Sequence, residues 1–463
     1  MCGIAGAYSE NSLAGKYVYY LLFSLQHRGQ ESAGIAFFED KLEYKKGIGL
    51  VSEVFSEKDL LPAKIAVGHV RYSTTGTSKI ENAQPFVVKS KAGTLVVSHN
   101  GNLVNYQTLR RELENQGSVF TTDTDSEVIA QLLSKLLVSK KDIESALSEL
   151  SQKILGSYSC ILILNDTLVA FRDPLGFRPI CVGELSDGYV VCSESCAIDA
   201  LDGELIKDLH PGEAILIQDG ELEFIKFADC IRKSFCIFEY IYFARPDSII
   251  DGVSVYKART EMGKILAEES PADVEFVSAV PDSGITAAIG YAMRLGLPYM
   301  EALIKNRYVG RTFIMPKQEL RELLVRMKVN VIKENVERKR IALIDDSIVR
   351  ATTSKRIVEM LKKAEAKEVH FRVGSPPIIA PCYFGIDMKT RDELIASKNS
   401  LEEIREIVGA DSLKYLSLQG LLSAVKKLGG KGFCIACLTS RYPVPVPGEI
   451  YLSEGVRQPE GQE

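Results

Sequence analysis

The chain has 463 residues, 46% of them hydrophobic and 25% charged, with a net charge of −5. That is ordinary for a soluble protein of two or three domains, each with its own core, and the acidic balance excludes a general nucleic-acid binder. No run of about 18 apolar residues offers a membrane span, and the start M-C-G-I-A-G lacks the basic and apolar regions of a signal peptide, so a cytoplasmic protein is expected.

The first reactive residue is Cys2. Removal of Met1 would leave it with a thiol and a free α-amine, a nucleophile and its own base in one residue, which suits attack on an amide carbonyl. A buried cysteine opening a strand is the competing reading. Apolar runs at 65–71, 94–98, 158–165, 167–171, 179–183 and 188–193 predict many short strands. Helical spacing marks 13–26, 104–115 and 124–138. Cys160, Cys181, Cys192, Cys196 and Cys230 lie in or beside such apolar runs and read as small core residues. D-P-L-G-F-R-P at 173–179 reads as a turn between strands.

The pattern changes after the strand E-L-E-F-I-K-F, which places domains at 2–230 and 231–440 and an extended tail at 441–463. From 274 to 375 strands alternate with helices, the grammar of a parallel sheet. V-E-F-V-S-A-V-P-D-S-G-I-T-A-A at 274–288 reads strand, tight turn, helix. K-N-R-Y-V-G-R-T-F-I-M-P at 305–316 combines cations, a glycine and aromatics without a period. I-A-L-I-D-D-S-I-V-R-A-T-T-S at 341–354 repeats the strand–turn–helix device with Asp345 and Asp346 at the strand's carboxyl end, where open α/β sheets bind ligands. The hydroxyls of Ser347, Thr352, Thr353 and Ser354 and the N-terminus of the following helix suit a phosphate. The two acids suit sugar hydroxyls, Mg²⁺ or both. A ribose 5-phosphate carrying a metal-bound polyphosphate satisfies the whole stretch; a ligand-free acidic turn before a helix is the plainer alternative. The ten cysteines of a cytosolic chain are more readily thiols, ligands or nucleophiles than disulfides. Among them Cys236, Cys382, Cys434 and Cys437 fit either Zn²⁺ or an iron–sulfur cluster, and spacing does not choose. Residues 388–431 read as surface helices.

M-C-G-I, H-R-G-Q-E-S-A-G-I-A-F at 27–37, G-H-V-R-Y-S-T-T-G at 68–76, S-H-N-G-N-L at 98–103 and T-D-T-D-S-E at 122–127 together resemble the class II glutamine amidotransferases, from Cys2 to about Gly220. The resemblance implies an αββα sandwich of the N-terminal-nucleophile (Ntn) hydrolase kind. In it Cys2 attacks the glutamine amide, the Asn100 side chain and Gly101 N–H hold the oxyanion, Arg71 takes the α-carboxylate and Asp125 the α-ammonium. Arg28 then supports from behind, and His27, His69 and His99 serve as hydrogen-bonding scaffold. The 341–354 stretch resembles the signature of type I phosphoribosyltransferases, which implies a doubly wound parallel sheet and the substrate phosphoribosyl pyrophosphate (PRPP) with Mg²⁺. It assigns Asp345, Asp346, Ser347, Arg350, Ala351, Thr352 and Thr353 to the ribose phosphate. It assigns Asp282, Ser283 and Gly284 to a pyrophosphate loop, and Lys305, Tyr308 and Arg311 to a closing loop. Mg²⁺ contacts would come from Ser283, Asp345 and Asp346.

The sequence around the four dispersed cysteines resembles the [4Fe–4S]-bearing branch of the amidophosphoribosyltransferases, the family that combines these two domains. That resemblance implies conversion of PRPP, glutamine and water to 5-phosphoribosylamine, glutamate and pyrophosphate, as the first committed step of purine nucleotide synthesis. It also implies an internal ammonia passage, a homodimer or homotetramer, and feedback inhibition by purine nucleotides, with no nucleic-acid or membrane partner. Cys2 follows Met1 directly, so maturation is expected to need only methionine removal. Against another class II amidotransferase, such as a glucosamine-6-phosphate synthase, stands the 345–354 stretch. Against a non-catalytic PRPP-sensing regulator stands the intact set Cys2, Arg71, Asn100, Gly101 and Asp125.

Overall fold

The computed structural model describes residues 1–72, 76–306 and 328–451. In its first half, alternation along each strand sorts side chains onto two faces. The strands are, in chain order, β1 (Gly3–Ser9), β2 (Ser32–Phe38), β3 (Leu42–Ile48), β4 (Ile65–Arg71), β5 (Phe86–Ser90), β6 (Gly93–Leu103), β7 (Gly156–Leu164), β8 (Thr167–Arg172), β9 (Cys181–Leu185), β10 (Gly188–Cys192), β11 (Glu204–Asp208), β12 (Glu213–Gln218) and β13 (Glu221–Lys226). They form two antiparallel sheets, ordered β11-β9-β10-β1-β4-β2-β3 and β13-β12-β8-β7-β6-β5. Ile4 and Tyr8 of β1, Ile65 and Val67 of β4, Val96 of β6 and Ile161 and Ile163 of β7 interdigitate between the sheets. The opposite faces carry helices. Ala5, Ala7 and Val70 meet Val18, Leu21 and Leu22 of the helix Ala14–Ser24. Leu95, Val97, Cys160 and Leu162 meet the helices Asp125–Lys140 and Ile143–Lys153. The result is the four-layer αββα sandwich expected from the sequence.

The second half contains β14 (Phe235–Cys236), β15 (Ile249–Ile250), β16 (Val253–Ser254), β17 (Phe276–Ala279), β18 (Leu303–Lys305), β19 (Val329–Val331), β20 (Arg340–Asp345), β21 (Glu368–Val373), β22 (Ser412–Tyr415) and β23 (Phe433–Cys434). Strands β17, β20, β21 and β22 pair in parallel in that order, and Tyr299 bridges in parallel to Val277 on the far side of β17. Because the segment after β17 lies on one side of it and β20 on the other, the winding reverses between β17 and β20. That reversal is the switch point at which doubly wound sheets hold ligands. Val277, Ala279, Ala342 and Ile344 pack toward the helices Val255–Glu269 and Ile285–Leu295. Phe276, Ile341 and Leu343 pack toward Thr352–Lys363 and Leu401–Val408.

Three sequence expectations need correction. Residues 388–431 are not all surface helix: Ser412–Tyr415 is the edge strand β22, and Leu421, Leu422, Ala424 and Val425 of the helix Leu418–Lys426 are buried. A four-residue edge strand, S-L-K-Y, is too short and too polar to show a period. Cys230 is half-buried rather than core, whereas Cys160, Cys181, Cys192 and Cys196 are core. The 173–179 stretch is more than a turn, because Arg178 is fully buried and its Nε donates to the Phe384 carbonyl at 2.8 Å.

The halves are clasped by hydrogen bonds of this kind. Asn102 Nδ2 donates to Tyr383 O at 3.0 Å, Ser157 Oγ to Phe384 O at 2.8 Å, and Arg172 pairs with Asp251 at 2.7 Å. Ile161, fully buried between the two sheets, tests the sandwich: Ile161→Ala should lower unfolding stability by about 2–5 kcal/mol, read from the urea midpoint at unchanged slope.

Candidate functional site

The strand order delivers the glutaminase residues to one cleft. Cys2 immediately precedes β1, Arg71 ends β4, Asn100 and Gly101 lie in β6, and Asp125 opens a helix capped by the Thr124 side chain. Cys2, Arg71, Gly101 and Asp125 line the cleft together. The Cys2 backbone N–H donates to Asn100 Oδ1 at 3.1 Å, while the buried Asn100 Nδ2 has no hydrogen-bond partner among the described residues. A buried amide donor left over costs about 1–3 kcal/mol, so the site holds a donor for an oxygen that the protein itself does not supply. A side chain on Gly101 would put its Cβ 2.0 Å from the Ser157 carbonyl oxygen, so only glycine lets β6 and β7 approach this closely. Arg71 Nη1 donates to Thr77 O at 3.0 Å and lies 3.8 Å from Glu31. Asp125 Oδ2 accepts from Leu103 N–H at 2.9 Å.

The histidines are wired into the scaffold. His69 Nε2 lies 3.1 Å from the His99 carbonyl, His99 contacts Ser126 Oγ at 2.9 Å, and His27 contacts Glu194 at 2.7 Å. Burial pushes His69 down to about 3 and lowers His99, with nearby Arg71 acting the same way on His69. Both stay neutral near pH 7. With Met1 in place the Cys2 nitrogen is a peptide N–H, and the Met1 α-amine is buried, its pKa pushed down to about 5 by desolvation.

A second cleft, of about 720 Å³, opens at the switch point. Its volume suits a small-molecule substrate. Asp282, Ser283, Lys305, Ser347 and Arg350 line one side, and His27, Gln30 and Tyr72 of the first half line the other. Gly284 lets the 281–284 turn press against β20: a Cβ there would lie 2.5 Å from Ile344 O and 3.3 Å from Asp345 Cα. Asp346 accepts from the Ser283 hydroxyl and from Ser347 Oγ at 2.5 Å, and Asp345 accepts its neighbour's N–H at 2.9 Å. Burial, and for Asp345 the adjacent Asp346, raise both carboxyls above the ordinary range. Two adjacent acids so placed lack counter-charge, which a divalent cation would supply. Ala351 adopts a left-handed conformation at φ +59° and turns the chain so that Thr352 and Thr353 begin the helix. Lys305 bonds Asp282 at the cleft rim, and Arg350 bonds Glu393. Tyr308 and Arg311 lie outside the described residues.

The four thiols of Cys236, Cys382, Cys434 and Cys437 converge from three segments. Cys236 and Cys434 are register partners of the parallel pair β14–β23, Cys437 follows one short turn later, and the 382–388 loop brings Cys382. Among the described residues no three His, Cys, Asp or Glu side chains stand in metal-binding geometry, so the thiols converge without closing a cage. Burial pushes Cys236 up to about 11 and raises Cys434 and Cys437, with the neighbouring thiols adding to each shift. One buried and three half-buried thiols, with Arg178 beside them, form a soft donor set whose thiolates would need a group supplying positive charge.

The comparisons with known proteins agree with this geometry. A sequence profile for the glutamine amidotransferase domain matches residues 69–200. An amidophosphoribosyltransferase of Archaeoglobus fulgidus is 66% identical, over 97% of this chain and 99% of its own. The chain belongs to the amidophosphoribosyltransferase family. A solved structure of the glutamine PRPP amidotransferase from B. subtilis, complexed with ADP and GMP, superposes with a TM-score of 0.88 at 45% identity, covering 96% of this chain and 98% of that one. A second, described as the allosteric regulatory enzyme of purine biosynthesis, gives 0.89 at 45% identity, covering 96% and 97%.

Sequence reasoning missed the wall that the two clefts share. Tyr72 lines both, and its carbonyl oxygen lies 3.6 Å from Cys2 Sγ. Its position directly after Arg71 was the available signal. Gln30, Tyr242, Arg259 and Asp387 of the larger cleft carried none.

The buried histidine makes stability depend on pH. His69 binds a proton below about pH 6.5 when unfolded but only below about 3 when folded, so its contribution is complete above 6.5 and is lost as pH falls through that window. Asp173, pushed up to about 6 by burial, contributes with the opposite sign. The His69→Gln exchange isolates the histidine: relative to the parent, its stability should decline by about 2 kcal/mol less between pH 7 and pH 5, measured by urea unfolding at both values.

Proposed function

We propose that the chain converts PRPP, glutamine and water to 5-phosphoribosylamine, glutamate and pyrophosphate, the first committed step of purine nucleotide synthesis. The observation that carries this is the pair of clefts in one chain, one lined by Cys2 and the other by Ser283 and Ser347, which both donate to Asp346, with Tyr72 in the wall of both. In this reading Met1 has been removed. The freed Cys2 amine, held by Asn100 Oδ1, takes the thiol proton as Sγ attacks the glutamine amide. Asn100 Nδ2 and the Gly101 N–H receive the developing oxyanion. Arg71 and Asp125 hold the two ends of glutamine, the amine returns its proton to the departing ammonia, and water then hydrolyses the glutamyl thioester to glutamate and the free Cys2 thiol.

Ammonia in bulk water near neutral pH is mostly ammonium, which cannot attack. Passage past Tyr72 into the larger cleft keeps it neutral. There Ser347, Thr352, Thr353 and the helix N-terminus behind Ala351 hold the 5-phosphate. Asp345 and Asp346 accept from the ribose hydroxyls, and the turn of Asp282, Ser283 and Gly284 receives the pyrophosphate. Arg350 belongs with the ribose-phosphate set, and the closing-loop role stays with Lys305 and with Tyr308 and Arg311, which lie outside the described residues; such closure would exclude water from the sugar carbon. Mg²⁺, when bound by Ser283, Asp345 and Asp346, supplies positive charge to the departing pyrophosphate. Cys236, Cys382, Cys434 and Cys437 would hold a [4Fe–4S] cluster as a structural tie between the start and the end of the second half. The ADP and GMP of the B. subtilis relative support purine nucleotides as feedback inhibitors. A cytoplasmic homodimer or homotetramer completes the reading.

Pyrophosphate release from PRPP and Mg²⁺ tests the reaction, with glutamine and separately with ammonium chloride. Cys2→Ala should abolish the glutamine-dependent rate and leave the ammonium-dependent rate within about twofold; loss of both in a folded variant would sink the two-site reading. Protein purified without oxygen should carry iron, acid-labile sulfide and a broad absorbance near about 400 nm, all reduced in Cys434→Ser. One equivalent of zinc with no iron would replace the cluster assignment.

A further inference from the structure

Behind Cys2 lies a group of charges that the chemistry above does not use. Arg28 is fully buried and its Nε donates to the Cys2 carbonyl oxygen at 3.1 Å. Its two terminal nitrogens form a fork on Glu239, at 3.1 Å to Oε2 and 2.8 Å to Oε1. One of them also reaches Glu194, which accepts from His27 at 2.7 Å, Ser248 Oγ at 2.7 Å and the Arg245 N–H at 2.9 Å. Arg178 stands 3.6 Å from Glu239. Arg28 and Glu194 come from the first half of the chain, and Glu239 comes from the second.

Glu239 opens the five-residue π-helical turn Glu239–Phe243. The same turn is gripped from the other side by Arg259, whose guanidinium donates to the carbonyls of Tyr240 at 2.8 Å, Ala244 at 2.8 Å and Glu239 at 3.3 Å. Arg259, Tyr242 and Phe243 line the larger cleft, and Arg259 lies within electrostatic reach of Asp346. One short turn therefore reaches the Cys2 carbonyl on one side, through a single arginine, and lines the larger cleft on the other.

We propose that Glu239 is a positioning residue for the glutaminase step, fixing the Cys2 main chain through Arg28. The bidentate fork sets both the distance and the plane of the guanidinium, so its remaining N–H meets the Cys2 carbonyl in one geometry. Glutamine itself touches neither Glu239 nor Arg28 in this arrangement; Arg71 and Asp125 hold it. The effect thus belongs in the rate of thioester formation rather than in glutamine binding.

The inference rests on the two-site reading, and the test separates them. The variants are Glu239→Asp, which keeps the charge but shortens the fork, and Arg28→Lys, which keeps the charge and loses the fork altogether. The first readout is the rate at which a glutamine-like diazoketone alkylates Cys2, followed by intact mass. The second is pyrophosphate release with glutamine and with ammonium. In whichever variant folds, alkylation and glutamine-dependent kcat should fall about tenfold or more. The KM for glutamine should stay within about threefold, and the ammonium-dependent rate should be kept. Unchanged alkylation, or an equal fall in the glutamine and ammonium rates, overturns the proposal. So does failure of both variants to fold, which would make the pair purely structural. A parent protein whose Cys2 reacts but which releases no pyrophosphate would instead count against the two-site reading.

Discussion

Everything near the nucleophile depends on a small cluster of charges kept away from water. Arg28, Glu194 and Glu239 are at most 1% exposed. Ions so placed are tolerable only when each is paired and hydrogen-bonded, because removing one partner strands the other in a low-dielectric interior. The geometry meets that demand from both halves at once: two carboxylates, an arginine fork, a serine hydroxyl and a backbone N–H share the lone pairs. A hydrophobic contact would tolerate sliding between the halves; this arrangement does not. The register between the sandwich and the parallel sheet is thereby specified at the point where the nucleophile sits.

From that fixed point the two clefts follow from strand geometry. In the sandwich, β1 enters between β4 and β10, so the residue just before it lies beside the end of β4 and the middle of β6. In the parallel sheet, β17 and β20 both end at the reversal of winding, and their two loops face each other across the gap that Gly284 keeps narrow. The sites sit back to back, with a wall one residue thick at Tyr72. Neither would be useful to the other if the halves rotated.

Much of this was legible in the chain. The strands carrying Asn100 and Asp345 are apolar and bounded by turn residues, and Asp345 lies at its strand's carboxyl end, where open sheets place their ligands. What escaped was set by partners distant in sequence. Arg178 sits in a Pro/Gly-rich stretch that predicts a turn, yet it is buried because residues 206 positions later supply a carbonyl for it. Glu239 lies among aromatics in a stretch that marks only the start of the second half; the fold alone shows that its partner is Arg28. The edge strand at 412–415 and the half-buried Cys230 failed for a local reason, since segments this short and polar carry no period.

Met1 is 1% exposed, packed with Phe235 and Ile237 against the guanidinium of Arg178. A peptidase needs several residues of extended chain in its groove, and here the first strand is paired to β4 from Gly3 and on both sides from Ala5. On the proposed reading the Cys2 amine must be free, and a methionine buried in this way is out of a peptidase's reach, so its removal would precede the pairing of β1. A chain that folds first would lock its own nucleophile behind an inert amide for good, so the ratio of processing speed to folding speed sets how much of each synthesis round becomes competent.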